Sequence, residues 1–221
     1  MKAPHASADW QTFIRANTRL LAPPLVPEIK LHLAEESLPI WQKTEEELGE
    51  MNIPPPYWAF AWAGGQALAR YLLDHPSITA GQTVLDLGSG SGLTAIAARL
   101  SGARTALATD IDAVALVAIT MNAGANGVAV ETTAEDMLDG GPGTAGVILA
   151  GDLFYERGLA TRMLAFLDAC KTAGASVLVG DPQRAYFPKD RFDAVAEYRV
   201  PVTRELEDAE IKNSAVWRLR A

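Results

Sequence analysis

The sequence predicts an α/β fold in which helices cover both faces of a mostly parallel sheet that ends in an antiparallel C-terminal strand. Three observations predict it. From Gly64 onward short apolar runs alternate with helix-period segments, one buried run passes straight into a glycine turn and a helix, and the last two strand-like runs share a link too short for a crossover. At 221 residues the chain fits a single such domain with a modest N-terminal extension. Residues 1–55 read as the extension and 56–221 as the domain.

In the extension, Asp9 is placed to cap a helix through Leu20, and Pro23, Pro24 and Pro27 break it. The alternation in Glu28-Ile29-Lys30-Leu31-His32-Leu33 predicts a half-buried strand, and Pro54, Pro55 and Pro56 stop the chain again. In the domain, Gly65 to Leu73 reads as a helix, Thr83 to Leu87 as a strand, Leu93 to Leu100 as a helix and Thr105 to Thr109 as a strand. Ala113 to Ala125 is a helix ended by Gly127; Ala129 to Thr133 and Gly146 to Ala150 are strands. Gly158 to Thr172 is a helix closed by Gly174, and Ser176 to Val179 a strand. Phe192 to Val200 and Ser214 to Leu219 are strands joined by the charged run Arg204 to Lys212, which predicts an antiparallel C-terminal edge.

Composition narrows the function. The formal net charge of −8 repels phosphate backbones and argues against nucleic-acid binding. Hydrophobic content is 49%, and no apolar run reaches the roughly 18 residues of a membrane span, so a soluble protein is expected. The single cysteine, Cys170, lies in an apolar-periodic stretch, excludes a disulfide framework and fits a reducing cytoplasm. Residues 1–20 lack the order of a secretory signal, and Arg15 and Arg19 alone are thin support for a transit peptide.

The strongest local signal is Val84-Leu85-Asp86-Leu87-Gly88-Ser89-Gly90-Ser91-Gly92-Leu93. It reads as the first βα turn of a Rossmann-like fold, where glycines let a ligand approach the backbone closely. Gly88, Ser89, Gly90 and Gly92 form the cradle. Their G-x-G-x-G spacing after an acidic strand residue departs from the G-x-G-x-x-G dinucleotide fingerprint, so a NAD-dependent oxidoreductase is disfavoured. A phosphate-free cationic ligand such as S-adenosyl-L-methionine suits Asp86 better. Asp110, at the end of the second strand, is placed for the ribose hydroxyls, and Asp136 with Met137 for the adenine amino group and ring. Each carboxylate has a plainer alternative: Asp86 as organiser of the loop, Asp110 as a helix cap, although Asp112 is better placed for that, and Asp136 as a turn residue. No metal site is expected.

The fourth strand runs into Gly151-Asp152-Leu153-Phe154-Tyr155-Glu156, beside the ligand crevice. Asp152 is the candidate anchor for an incoming ammonium, with Tyr155 or Phe154 packing on it, since methyl transfer needs a positioned nitrogen lone pair. Turn or core roles are the alternatives. In Asp181-Pro182-Gln183-Arg184, the arginine reads either as a steering charge or as a solvated side chain.

Together these residues resemble a family. Tyr57-Trp58-Ala59-Phe60-Ala61-Trp62-Ala63-Gly64-Gly65, the loop 84–93, Ala108-Thr109-Asp110-Ile111-Asp112, Asn122 with Asn126-Gly127, and Gly151-Asp152-Leu153-Phe154-Tyr155 are similar to the lysine methyltransferases of the electron transfer flavoprotein beta subunit. The resemblance spans about residues 50–185. It implies a seven-stranded class I methyltransferase fold, S-adenosyl-L-methionine as cofactor, Trp62 and Gly64 at the cofactor pocket, and Asp152 and Tyr155 in the substrate motif. It implies the flavoprotein beta subunit as substrate, with a ribosomal or other protein, or a small amine, as the alternative. By spacing alone, Trp58, Phe60 and Trp62 are equally a hydrophobic patch beneath the extension. Asn52-Ile53-Pro54-Pro55-Pro56-Tyr57 is similar to the loop of amino-group methyltransferases acting on adenine or glutamine, but it does not follow the fourth strand.

Overall fold

A computed structural model describes residues 7–34, 55–141, 143–202, 207 and 209–220, with side chains from residue 10 onward. Its elements are α1 (Ser7–Asn17), β1 (Arg19–Leu21), β2 (Leu31–Leu33), a 3-10 turn (Tyr57–Ala59), α2 (Ala63–Asp74), β3 (Thr83–Leu87), α3 (Leu93–Leu100), β4 (Thr105–Thr109) and α4 (Ala113–Ala125). There follow β5 (Glu131–Thr133), β6 (Val147–Gly151), α5 (Arg157–Thr172), β7 (Ser176–Asp181), β8 (Phe192–Pro201) and β9 (Ile211–Leu219). The main sheet has seven strands in the order β5-β4-β3-β6-β7-β9-β8. Neighbours from β5 to β7 run parallel, whereas β9 is antiparallel to both β7 and β8. The chain leaves β3 in one direction through β4 and β5 and returns in the other through β6 and β7. That reversal opens a crevice at the carboxyl ends of β3 and β6.

The C-terminal pair is antiparallel, but the edge is β8, not the last strand. The burial pattern explains this. Val216 of β9 enters one core cluster while Ala215, Trp217 and Leu219 enter the other, so β9 is covered on both faces. Strand β8 carries exposed Asp193, Glu197 and Arg199, ends in Pro201 and is interrupted by a bulge between Ala194 and Ala196, all suited to an edge.

The extension departs most from expectation. Its helix stops at Asn17 rather than Leu20, because the Asn17 amide and the Thr18 hydroxyl donate to the carbonyls of Phe13 and Ile14 at 2.8 and 2.6 Å. Arg19–Leu21 then pairs antiparallel with Leu31–Leu33. The expected strand from Glu28 shortens, since Ile29 N donates to Val26 O in a turn and Lys30 N donates to Asn126 Oδ1. The Asp9 side chain, Pro54 and residues 203–206 at the start of the charged run lie outside what is described. Val26, Ile29, Leu31 and Leu33 join the same buried cluster as α2 and α3, and Ile14 packs on Trp58 and α4. Asn122, fully buried on α4, ties the two together: Oδ1 accepts from His32 N and Nδ2 donates to Ser91 O, both at 2.8 Å.

Helix α2 begins against β7 with almost no space between them. A Cβ on Gly180 would lie 2.1 Å from Gly64 O, and one on Gly64 would lie 2.2 Å from Gly180 O. This approach sets the first turn of α2 over the crevice.

Candidate functional site

A cavity of about 800 Å³ fills the crevice, large enough for a nucleoside-sized ligand. Its floor is the β3–α3 loop. Gly88 has φ +53, which favours glycine, and a Cβ there would meet Leu153 Cδ2 at 2.6 Å, so that a larger residue would also have to displace the Leu153 side chain. Three of the loop's amides are already used: Ser89 N donates to Thr109 O, Gly90 N to Asp110 Oδ2 and Gly92 N to Ser89 O, each at 2.9 Å. A pyrophosphate needs such amides free.

Asp86 is buried beneath the loop. Ser89 Oγ donates to its Oδ2, Thr94 Oγ1 to Oδ1 at 2.6 Å and Ala95 N to Oδ2 at 3.2 Å. Burial pushes its carboxyl up to about 6 despite these donors. Its geometry matches the organiser of the loop, and it does not line the cavity. Gly92 lies behind the loop against Ile119, and Gly64 faces β7; neither lines the cavity. Gly88, Ser89, Gly90, Asp110, Asp136, Met137, Trp62, Asp152 and Tyr155 all do.

Asp110 accepts from Gly90 N through Oδ2 and from Asp112 N at 3.0 Å through Oδ1, and burial raises its carboxyl above the ordinary range. Asp112, not Asp110, caps α4, accepting from Val114 N at 2.8 Å. Asp136 caps the short 3-10 turn Met137–Asp139 and pairs with Arg162 at 2.9 Å, whose hydrogen bond holds its carboxyl below the usual range.

On the other side, Trp62 donates from Nε1 to Tyr57 O at 2.9 Å and packs edge-on against Tyr57 and Phe60. Tyr57 and Tyr155, each 50% exposed, face one another at 6.2 Å across the mouth. Trp58 is buried against Ile14 of α1 and also lines the cavity, so the aromatic segment serves both the patch and the pocket. Phe154 is wholly buried against Phe187 and Phe192 and takes no part in the cavity.

Asp152 sits at φ +61 and is only 7% exposed. Its Oδ2 accepts from Gly65 N at 2.8 Å, and its Oδ1 from Arg184 Nε and Nη2 at 3.1 and 2.7 Å. Arg184 is therefore neither solvated nor a surface steering charge. It is a partly buried partner of Asp152 and also pairs with Glu207. Burial raises the Asp152 carboxyl, and Arg184 works against that rise. Glu207 and the arginine's inward direction went unread in the sequence.

Among the described residues, Asp110, Asp112, Glu135, Asp136, Asp152 and Glu156 line the cavity against only Arg162 and Arg184. An acidic wall and a loop that turns the amides of Ser89, Gly90 and Gly92 to protein acceptors fit a nucleoside bearing a sulfonium cation, and the residues present suit S-adenosyl-L-methionine. Among the described residues no cluster of His, Cys, Asp and Glu could hold a metal ion. No helix among them is long and apolar enough to cross a membrane, and Cys170 is buried and unbridged.

Residues 66–153 match the family model of the ribosomal protein L11 methyltransferase (PrmA). The fold is shared with a crystal structure of magnesium protoporphyrin IX methyltransferase from Synechocystis PCC 6803 with bound SAM, at a TM-score of 0.53 and 14% identity over 72% of this chain and 80% of that one. Two curated relatives extend over nearly the whole chain. The electron transfer flavoprotein beta subunit lysine methyltransferase of Danio rerio is 40% identical over 95% of this chain and 83% of its own length. That of Homo sapiens is 36% identical over 95% of this chain and 81% of its own. At that identity and coverage the chain, an S-adenosyl-L-methionine-dependent methyltransferase, belongs to the electron transfer flavoprotein beta subunit lysine methyltransferase family.

Proposed function

We propose that this enzyme methylates lysine side chains of the electron transfer flavoprotein beta subunit. The observation that carries the reading is the 40% identity, across 95% of the chain, to a relative of that name. The site supports it. Gly88, Ser89 and Gly90 would cradle the cofactor, Asp110 would take the ribose hydroxyls, Asp136 and Met137 the adenine, and Trp62 the methionine end. Asp86, Gly92 and Gly64 act by shaping the loop and the first turn of α2. S-adenosyl-L-methionine supplies a methyl group on a sulfonium, whose C–S electron pair stays with sulfur when the amine takes the carbon.

The chain's own task is to place that amine. A carboxylate offers about four lone-pair positions, of which Arg184 and Gly65 N fill three. The remaining one on Asp152 Oδ2 orients the lysine nitrogen, while the half-exposed rings of Tyr57 and Tyr155 flank its stem. A cytoplasmic address belongs to the proposal, in keeping with the unbridged Cys170.

The test is transfer of labelled methyl to purified electron transfer flavoprotein and, in parallel, to a cell extract, with mass spectrometry of the products. Label on beta-subunit lysines supports the reading. Label on another protein alone redirects the substrate, and label on small amines alone overturns protein methylation. In Asp152→Asn, transfer should fall at least about 100-fold while S-adenosylhomocysteine affinity stays within about threefold; full activity would remove the anchor role.

A further inference from the structure

Asp152 is not a bare anion. Both N–H groups that meet its Oδ1 come from Arg184, whose Nη1 and Nη2 also donate to Glu207 at 3.0 and 2.7 Å. The Arg184 guanidinium carbon lies 5.4 Å over the Trp62 ring. The assembly is enclosed, with side-chain exposures of 7% for Asp152, 18% for Arg184 and 1% for Glu207. Other charges face it from every side. Buried Asp181, at the end of β7, accepts from Arg184 N at 2.6 Å. Lys212 of β9 approaches Glu207 at 3.5 Å. Asp110, Tyr57, Tyr155 and Glu156 lie along the cavity.

The chemistry of transfer makes this arrangement informative. A lysine ammonium has no lone pair, and an unpaired buried carboxylate would favour that ammonium. Arginine stays protonated throughout the working range, so its charge beside the anchor opposes the ammonium form while leaving a hydrogen-bond acceptor in place. We propose that Arg184 is a positioning residue that neutralises Asp152, so that the anchor receives the acceptor nitrogen as an amine rather than as an ammonium, with Glu207 moderating the effect. The proton leaves for bulk water through the open mouth, and the nitrogen retains the electron pair that attacks. The inference rests on the reading of the site as a lysine methyltransferase.

The experiment is the pH dependence of kcat for transfer to the flavoprotein beta subunit, with S-adenosylhomocysteine affinity measured alongside. The rising limb reports the group that must lose its proton in the enzyme–substrate complex. Arg184→Gln removes the charge and should move that limb about one to two pH units upward. Arg184→Lys keeps a charge and should restore most of the wild-type position. Glu207→Gln strips Arg184 of its competing partner and should move the limb downward. A purely structural role predicts lost activity in all three without opposite shifts. Superimposed profiles, or shifts of one sign in Arg184→Gln and Glu207→Gln, would overturn the proposal. If Arg184→Gln does not fold, Glu207→Gln decides alone, and an unmoved limb there overturns it. No transfer at all by the unaltered enzyme overturns the functional reading itself and this proposal with it, an outcome distinct from transfer with unshifted profiles.

Discussion

The two halves of the site are held by different forces. On the β3–β4 side, shorter-range contacts do the holding: the donors to the Asp86 carboxylate lie within nine positions of it, and Gly90 N reaches Asp110 across 20. On the β6–β7 side the contacts come from far along the chain. Gly65 reaches Asp152 across 87 positions, and Arg184 reaches Asp152 across 32 and Glu207 across 23. The cofactor half is thus shaped largely within its own βα unit, whereas the acceptor half exists only once α2, β7 and the approach to β9 are packed together.

The largest expected effect falls on that packing. Gly180→Ala places a Cβ 2.1 Å from Gly64 O and 2.8 Å from Leu68 Cβ. Main chain cannot yield as a side chain does, so a loss of about 3 kcal/mol or more is expected, seen as a fall in Tm of about 6–12 °C. An unshifted Tm would mean that α2 is not pinned to β7.

The second effect separates the halves by pH. The Asp181 carboxyl is pushed up to about 7 by burial and then by the charge of Asp152, and its Oδ2 has no hydrogen-bond partner among the described residues. Unfolded, such a group ionises near about 4. Between about pH 4 and 7 unfolding therefore releases its proton, and stability declines as pH rises until it levels above about 7. Asp181→Asn should remove much of that decline, gaining about 2–4 kcal/mol at pH 8 relative to the wild type in urea denaturation. Asp86, pushed up to about 6 by burial, shows the same sign over about pH 4–6, but its donors from Ser89, Thr94 and Ala95 oppose that rise, so Asp86→Asn should gain less at pH 8 than Asp181→Asn, by about 1–3 kcal/mol.

The same division governs what the sequence discloses. The segment from Thr83 to Ala125 keeps its expected bounds throughout, because strand period, glycine turn and the Asp112 cap are all local signals. Asp110 is legible for the same reason, standing at the end of its strand. In Asp152-Leu153-Phe154-Tyr155 the residue types are legible but not their directions: Phe154 turns into the core and Tyr155 to the mouth. Gly64 and Gly65 differ likewise, the first meeting β7 and the second offering its N–H to Asp152. Arg184 carries no periodic signal that says inward. The available hint was its place three residues beyond the strand-end Asp181, at the switch side of the sheet. Strand β1 was hidden because three residues become a strand only through pairing with β2.

Asp110→Ala tests the cofactor half by itself. Removing the carboxylate frees Gly90 N and Asp112 N and deletes the proposed ribose acceptor. S-adenosylhomocysteine affinity should fall about tenfold or more in calorimetry, while Tm falls by only a few degrees. A loss of fold instead would mean that the loop depends on this carboxylate as heavily as the acceptor half depends on its ion pairs.

The smallest expected effect concerns the contact that crosses between the halves. Arg162, on α5, reaches Asp136 at 2.9 Å and Asp139 at 2.7 Å, with 41% of its side chain exposed. Exposed pairs of this kind are screened by salt and contribute little. Arg162→Gln should therefore change S-adenosylhomocysteine affinity by less than about threefold at about 0.15 M salt and leave kcat for the protein acceptor unchanged. A larger loss that disappears at high salt would show that α5 holds the adenine side of the cavity through charge. The cofactor half would then depend on long-range pairing too, and the distinction between the halves would be one of degree.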